Sequence, residues 1–408
     1  MRILYFHQYF ATRRRSVPTR SYELARRLVA RGHEVTIVSR DTRHLEAGRA
    51  RRPHWPVARE RVDGIDVVYL DVPYSSTFST PARLASFAAF TAAACAAAPF
   101  LPRPDVVFAS STPLTIGIPG IVAARLRGVP FVFELRDLWP EVPIALGVLR
   151  SRPLIAAARR LEDVLYRGAA RIVVLSEATR DALLEAGVPA GKLVFVPNAC
   201  DLDLFSPDRV DRSFRERHGL EGKFVALYAG SMGRINGIDQ LLAAAEALRA
   251  AGRGDVALVA IGDDGHRPRL EARARALGLD NVLFLPAIPK DELAGVLGAA
   301  DVTLTLNAGD KVMETSSPNK FFDSLAAGRP VVVNVDGWLR RVVEQGRAGV
   351  YVPADDGPAL AAALAALADD PALVQTMAAN ARGLAERDFD RDKLATRLAE
   401  ALETAETA

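Results

Sequence analysis

The sequence predicts an α/β protein made of two doubly wound parallel sheets. Three observations carry that prediction. Short β-branched runs alternate with amphipathic helical stretches along the chain. A second series of the same kind starts after residue 200. The composition is that of a globular chain, with 408 residues, 50% hydrophobic and 25% charged, long enough for two or three domains with full cores. Alternation of this sort argues parallel strands with helices on both faces.

The first run, 2–6 (RILYF), reads as a strand. Residues 20–31 (RSYELARRLVAR) place Tyr22, Leu24, Ala25, Leu28 and Val29 on or near one helical face. Gly32 and His33 stop that helix, and 34–39 (EVTIVS) is the next strand, completing a βαβ unit. Strands follow at 67–70, 105–109, 131–135, 172–175 and 193–196. Residues 197–208 (PNACDLDLFSPD) are rich in turn formers and lack a period. The second series has strands at 224–229, 256–261, 282–285, 302–306, 330–334 and 349–352, with helices such as 238–250 between them. The expected domains are therefore 1–200 and 201–387, with a helix at about 388–408 packing back onto the first.

Cys95 and Cys200 allow at most one disulfide and no thiolate metal site, which suits a reducing compartment. With 52 basic and 49 acidic residues there is no general nucleic-acid signal. The N-terminal apolar run is too short for a signal peptide. One long apolar tract, 85–101, is slightly short for a bilayer span and mostly alanine. It reads either as a buried helix or as one lying on a membrane, in the stretch 83–103. In the second reading Arg83 and Arg103 sit among headgroups while Phe87, Phe90 and Phe100 dip in. Arg13, Arg14 and Arg15, with Arg51 and Arg52, then either attract anionic lipid or occupy a solvated loop. The histidines are scattered without metal-ligand spacing, and there is no G-x-S-x-G element.

Five constellations could carry chemistry. Residues 229–239 (AGSMGRINGID) follow a strand and open a helix. Gly230, Gly233 and Gly237 allow close backbone approach, the helix start offers free N–H groups to a phosphate, and Arg234 adds a cation. The spacing departs from G-x-G-x-x-G, and a plain tight turn is the alternative. Gly262 and Asp263, in 261–266 (IGDDGH), mark a second strand end suited to phosphate or ribose, or to an ordinary turn. Residues 314–330 (ETSSPNKFFDSLAAGRP) are the strongest. Pro318 fits the first helical turn, Ser316 or Ser317 can cap it, Lys320 can meet a phosphate, and Asp323 can accept from ribose hydroxyls. In 133–141 (FELRDLWPE), Glu134, Arg136, Asp137 and Glu141 form either a polar site or an internal ion-pair network. His7, after the first strand, is a base, an acceptor contact or a structural histidine.

At these residues the chain resembles the retaining, nucleotide-sugar-dependent glycosyltransferases of family 4, with the GT-B fold of two facing Rossmann-like domains and an interdomain cleft. The carriers are 20–39, 133–141, 171–189, 196–207 (VPNACDLDLFSP), 261–271 and 317–332 (SPNKFFDSLAAGRPVV), in that order over essentially the whole chain. The likeness is strongest to the subgroup that adds amino sugars of the fucosamine type to bacterial surface polysaccharides.

That resemblance implies a C-terminal domain that binds the nucleotide sugar, with UDP favoured, and an N-terminal domain that binds the acceptor. Donor contacts would come from Gly230, Gly233, Arg234, Asn236, Gly262, Asp263, Glu314, Ser317, Asn319, Lys320 and Asp323. The family's E-x7-E element falls on Thr315 and Asp323, with Glu314 beside the missing first Glu. Asn236 occupies the place of the family's diphosphate lysine, and Lys320 can restore the charge. Arg136 stands where many relatives carry a histidine, and Arg13-Arg14-Arg15-Ser16-Val17-Pro18 replaces the usual glycine-rich first loop. His7, Arg136 and Asp137 are the catalytic candidates. No metal and no cofactor is expected, since cationic side chains and helix N-termini can stabilise the departing diphosphate. The acceptor implied is a lipid-linked (polyprenyl) glycan at the inner face of the cytoplasmic membrane, with a soluble natural product as the alternative. A nucleotide-sugar epimerase and a non-catalytic partner of another transferase are the competing functions.

Overall fold

The computed structural model describes all residues except 16, 18, 43–55, 76–77, 264 and 407–408. The sequence expectations for Arg51, Arg52, Ser16 and Pro18 lie outside the described residues. The chain divides into two units, Met1–Pro197 with the segment from Asp392 onward, and Asn198–Arg391.

Unit 1 holds eight strands: β1 (Arg2–Phe6), β2 (Glu34–Arg40), β3 (Val57–Val62), β4 (Ile65–Leu70), β5 (Val106–Ser110), β6 (Phe131–Leu135), β7 (Arg171–Val174) and β8 (Leu193–Phe195). Their spatial order is β3-β4-β2-β1-β5-β6-β7-β8. The central strands are apolar on both faces because helices cover both sides, so β5 and β6 are buried along their whole lengths. Leu4, Phe6, Val107, Phe133 and Ile172 meet Phe90 and Ala94 of helix Thr80–Ala97 in one core cluster.

The sequence reading misses β3, which pairs antiparallel with β4. Val62 faces Ile65 across Asp63 and Gly64, both with positive φ (48° and 83°), the geometry of a two-residue hairpin turn. Its Asp-Gly dipeptide is the signal. It is weak here because β3 (VARERV) sits at the sheet edge with every residue exposed or half-buried, so it carries little apolar pattern.

Unit 2 holds β9 (Phe224–Ala229), β10 (Val256–Ile261), β11 (Val282–Leu285), β12 (Val302–Thr305), β13 (Val331–Val333) and β14 (Gly349–Tyr351), all parallel, in the order β11-β10-β9-β12-β13-β14. Tyr228, Leu241, Leu258, Leu304, Val332 and Leu364 belong to its core cluster. The segment from Asp392 is tied to unit 1 through Arg27 to Asp392, Arg31 to Thr396 (3.0 Å), His33 to Glu403 (3.1 Å) and Arg397 to the Phe195 carbonyl (3.1 Å).

Among the parallel strands of each sheet the chain order reverses once, between β1 and β5 and between β9 and β12. Helices leave such a pair of strands on opposite faces, which opens a crevice at their carboxyl ends.

Candidate functional site

In unit 2 the crevice lies between the ends of β9 and β12. The chain leaves β9 through Gly230 and re-enters helix Ile238–Ala250 at Gly237. Gly237 has φ +60°, and a Cβ there would stand 2.4 Å from the Asn307 carbonyl oxygen at the end of β12. Gly262, after β10, passes so close to the Gly230 carbonyl that a Cβ would come within 1.8 Å of it. Both glycines therefore serve close packing of backbone against backbone. Arg234 is exposed on this loop, in a short 3-10 turn, and makes no ion pair among the described residues.

Lys320 reaches into the same place from helix Asn319–Ala326. Its Nζ donates to Tyr228 Oη (2.7 Å) and to Asn236 Oδ1 (3.1 Å), and lies 4.1 Å from the Tyr228 ring centroid. Tyr228 spends its own proton on the Ser231 carbonyl (2.5 Å). No carboxylate pairs with Lys320 among the described residues, and burial pushes its amine down to about 7. The lysine from the third constellation thus meets the asparagine from the first.

Asp323, one turn further on, sits in a buried charge cluster. Asp201 accepts from Arg391 and from Lys290 (2.8 Å), and Lys290 also stands 3.2 Å from Asp323 Oδ1 as an ion pair outside hydrogen-bond geometry. Burial raises Asp201, but Arg391 and Lys290 outweigh it and hold that carboxyl far below the usual range. For Asp323 burial wins: its carboxyl is pushed up, helped by the charge of Asp201 and opposed by Lys290. The two acids are thereby driven apart, Asp201 held ionised by its two cations and Asp323 left the weaker acid.

The capping expectation needs correction. Helix Asn319–Ala326 has Pro318 at its N-cap and no side-chain cap. Ser317 Oγ instead accepts from the Asn198 amide (3.4 Å), the Ser316 carbonyl accepts from Trp338 Nε1 (2.8 Å), and Ser316 Oγ is buried without a partner. The first N–H groups of this helix are consequently left for something other than a serine. Glu314 is half-buried in the preceding 3-10 turn Lys311–Thr315, and Asp263 is exposed after β10.

Two residues escaped the sequence reading. Tyr228 is the penultimate residue of β9, where an aromatic looks like core. Asn307 follows β12; its backbone is clamped by Asn334 (2.8 Å each way), while its Nδ2 is buried without a partner. The available signal was a polar side chain closing an apolar strand next to the order reversal.

In unit 1 the corresponding strand ends carry His7, Ser110 and Glu134. Arg20 donates to Glu134 Oε2 (3.0 and 2.7 Å) and to the carbonyls of Val196 (2.8 Å) and Pro197 (2.6 Å). Ser110 donates to Glu134 Oε1 (2.6 Å). Glu134 is therefore a structural ion pair. The four charges of 133–141 are not one site: Glu141 pairs with Arg159 (3.0 Å), and Asp137 accepts from Thr112 (3.1 Å). Arg136 Nη1 lies 3.2 Å from His7 Nε2. Burial, with the charges of Arg136 and Arg20, holds His7 well below its ordinary value, so it is neutral. Nε2 then accepts from Arg136, and Nδ1 carries the hydrogen, buried and without a partner. His7 is a donor awaiting an acceptor, rather than a free base. The arginine run is also split, since Arg13 is spent on Glu23 (2.5 and 3.0 Å) and Arg15 on Thr42 (2.9 Å), leaving Arg14 exposed.

Residues 17–199 match the family described as "Glycosyl transferase 4-like domain", and 223–370 match "Glycosyl transferases group 1". Among curated relatives, WbjE of Pseudomonas aeruginosa, named a probable glycosyltransferase, is 27% identical over 64% of this chain and 65% of that protein. The match thus spans under two thirds of that relative. The alpha-D-kanosaminyltransferase of Streptomyces kanamyceticus is 26% identical over 64% of this chain and 67% of its own. Among solved structures, Anabaena HepE in complex with UDP-glucose superposes with a TM-score of 0.71, at 19% identity over 99% of this chain and 100% of that one, a likeness of fold alone.

Proposed function

The chain belongs to the glycosyltransferases, its first domain 4-like and its second of group 1, and from that premise we propose that it moves a sugar from a nucleoside diphosphate sugar to an acceptor hydroxyl, with retention at the anomeric carbon. The observation that carries this reading is the pair of cations, Arg234 and Lys320, at the β9/β12 crevice with no carboxylate paired to either among the described residues. A half-buried cation such as Lys320 without a counter-charge is costly unless a ligand supplies one, and the exposed Arg234 stands on the neighbouring loop where the same ligand can be met. One half-buried and one exposed cation beside the starts of helices Ile238–Ala250 and Asn319–Ala326 suit a diphosphate.

In the reaction these groups would stabilise the charge that develops on the departing nucleoside diphosphate, the part a divalent metal plays elsewhere. The transfer is accordingly proposed as metal-independent and without a resident cofactor. The departing phosphate oxygen takes the acceptor proton. Asp323 accepts from the ribose, and Asn307 Nδ2 donates to the donor's oxygens. His7, Arg136 and Asp137 orient the acceptor in unit 1, with the His7 Nδ1 hydrogen donated to a sugar oxygen. UDP is the favoured nucleotide.

A lipid-linked glycan, met at the inner face of the cytoplasmic membrane, is the favoured acceptor. Thr80–Phe100 is long and apolar enough to cross a bilayer, yet only 28% of its apolar window is buried. Phe90, expected to dip into a membrane, is instead fully buried and faces the core with Ser86 and Ala94, because it packs into the cluster under the sheet, while Leu84 and Phe100 stand 42% and 81% exposed. Arg83 lies in the first turn of the helix and Arg103 just beyond its end, and 72–104 contains no carboxylate. That combination supports contact with an anionic membrane surface. Transfer to a soluble natural product is the second reading, supported by the relative named for kanosamine transfer.

Calorimetric titration with UDP, GDP, ADP and NAD tests the proposal, followed by slow donor hydrolysis on a panel of UDP-sugars with the N-acetylated amino sugars first. Selective binding of one diphosphate with hydrolysis of one sugar is expected. Binding without hydrolysis on any acceptor moves the assignment to a non-catalytic partner of another transferase. No nucleotide binding refutes the reading.

A further inference from the structure

Arg40, the last residue of β2, is a buried cation, 1% exposed. Its Nη1 donates to the carbonyls of Val72 and Pro73 and to Ser86 Oγ, each at 2.8 Å. Its Nε and Nη2 are buried without a partner, and it makes no ion pair among the described residues. Arg20, Arg391 and Lys290 are also buried, and each meets a carboxylate. Arg40 meets rings instead: its Cζ lies 5.0 Å from the centroid of Tyr74 and 5.6 Å from that of Phe90. A ring face attracts a cation without cancelling its charge.

The rings in front of Arg40 reach the surface. Tyr74 is 36% exposed and stacks on the half-buried Phe87 at 5.9 Å and 20°. Phe78 lies 6.3 Å from Tyr74, and Tyr9 meets Tyr74 edge-on at 5.6 Å. Arg83, one turn before Phe87 on helix Thr80–Ala97, is half-buried and makes no ion pair among the described residues. Its charge and that of Arg40 both act on the Tyr9 hydroxyl. The patch stands at the carboxyl ends of β1, β2 and β4. There the Arg40 amide donates to the Gln8 carbonyl (3.3 Å), and the His7 amide to the Val38 carbonyl (3.1 Å).

We propose that this patch binds the phosphoryl end of a lipid-linked acceptor, with Arg83 and the hydroxyls of Tyr9 and Tyr74 meeting the phosphate and the first isoprene units lying over Tyr74, Phe78 and Phe87. The inference rests on the acceptor reading given above and assigns residues to it. Two cations without a carboxylate call for an anion, and exposed rings call for apolar surface. A prenyl diphosphate joins the two end to end. A free sugar has neither the charge nor the chain, and a neutral lipid lacks the charge. Arg40 is sealed from solvent, so it is a positioning residue: its charge acts from behind the Tyr74 ring, and its Nη1 braces the backbone that carries that ring.

The test is calorimetry of the full chain with farnesyl diphosphate, farnesol and inorganic pyrophosphate in dilute non-ionic detergent. UDP is held at saturation, so that the donor crevice is closed to the probes. Farnesyl diphosphate is expected to bind at least about tenfold more tightly than farnesol or pyrophosphate. Arg83→Gln weakens it at least about tenfold, the scale of one charge-assisted hydrogen bond, and leaves UDP affinity unchanged. Arg40→Met, close in length, also weakens it, whereas Arg40→Lys keeps the charge and three donors for the same three acceptors and retains the affinity. Should Arg40→Met fail to fold, Arg83→Gln decides. Farnesyl diphosphate binding no more tightly than farnesol overturns the inference, as does pyrophosphate binding equally well, which makes the patch a site for free phosphate. Arg83→Gln losing flotation with phosphatidylglycerol vesicles while keeping its affinity for farnesyl diphosphate makes Arg83 a headgroup contact and also overturns it. UDP binding without farnesyl diphosphate binding overturns this inference alone, and failure of UDP to bind overturns the donor site as well.

Discussion

Asp323→Asn should weaken nucleotide binding without damaging the fold, whereas Asp201→Asn should do the reverse. The two carboxylates share Lys290 but differ in what else they hold. Asp201 has both oxygens engaged, by Arg391 and Lys290. Its native carboxyl lies far below the unfolded value, so its contribution to stability is complete above the unfolded pKa near 4 and fades as pH falls through the native one. Replacing it leaves Arg391 and Lys290 buried around a neutral amide, at a cost of about 3–5 kcal/mol. Asp323 has the opposite sign. Its native carboxyl is raised, so the folded state binds the proton more tightly than the unfolded chain, and stability falls as pH rises from the unfolded value to the native one. Asparagine removes that penalty, and unit 2 at pH 7–8 should be as stable as the wild type or more so. The same change deletes a charged acceptor for ribose hydroxyls, worth about 1–3 kcal/mol or roughly 5- to 150-fold in the UDP dissociation constant. Urea unfolding followed by the fluorescence of Trp338, the tryptophan of unit 2, reads the first quantity, and calorimetry with UDP the second. An unchanged UDP affinity in Asp323→Asn removes this residue from the donor site. A loss of stability in Asp323→Asn equal to that of Asp201→Asn makes both carboxylates structural.

Three other outcomes are expected. Arg20→Met strands the buried Glu134 carboxylate, which Arg20, with Arg136 and Ser110, now holds below its usual range against the upward push of burial; unit 1 should lose about 3–5 kcal/mol at pH 7 and, unlike the wild type, gain stability as the pH is lowered towards 4, and a loss below about 1 kcal/mol in urea unfolding contradicts this. Arg234→Ala should lower kcat more than it raises the donor KM, because a group that meets developing charge acts in the transition state; equal binding and turnover losses would make it a ground-state contact. The double variant Leu84→Ser/Phe100→Ser should reduce co-flotation with vesicles containing anionic lipid and leave UDP affinity unchanged, and undiminished flotation takes the helix out of the membrane contact.

The strand series was legible because each central strand is a short apolar run bounded by turn residues, a pattern set by burial on both faces. β3 was not, since an exposed edge strand needs no such run and is specified by its Asp63-Gly64 turn and its partner β4. The segments proposed for the donor were visible as glycine at a strand end and a helix opening at Asn319, which are local requirements of backbone approach and free N–H groups. What each charge does was not visible. Glu134, Asp137 and Glu141 stand within eight positions of one another, yet they go to three different partners.

The sequence by itself determined the α/β class, the order of strands along the chain, the two series and the residues that can approach a phosphate. These depend on period, turn chemistry and side-chain type over a few residues. Only the tertiary structure decided which ionisable groups are already satisfied. Parallel sheets bring together strand ends that are far apart in the chain, so that Arg20 closes on Glu134, Lys290 on Asp201 and Lys320 on Asn236. A charge placed in a dry interior is fixed by whichever opposite charge or acceptor the topology delivers to it. Partner choice is therefore settled by strand order, and the cation left without a carboxylate can be recognised only once every other pair has been made.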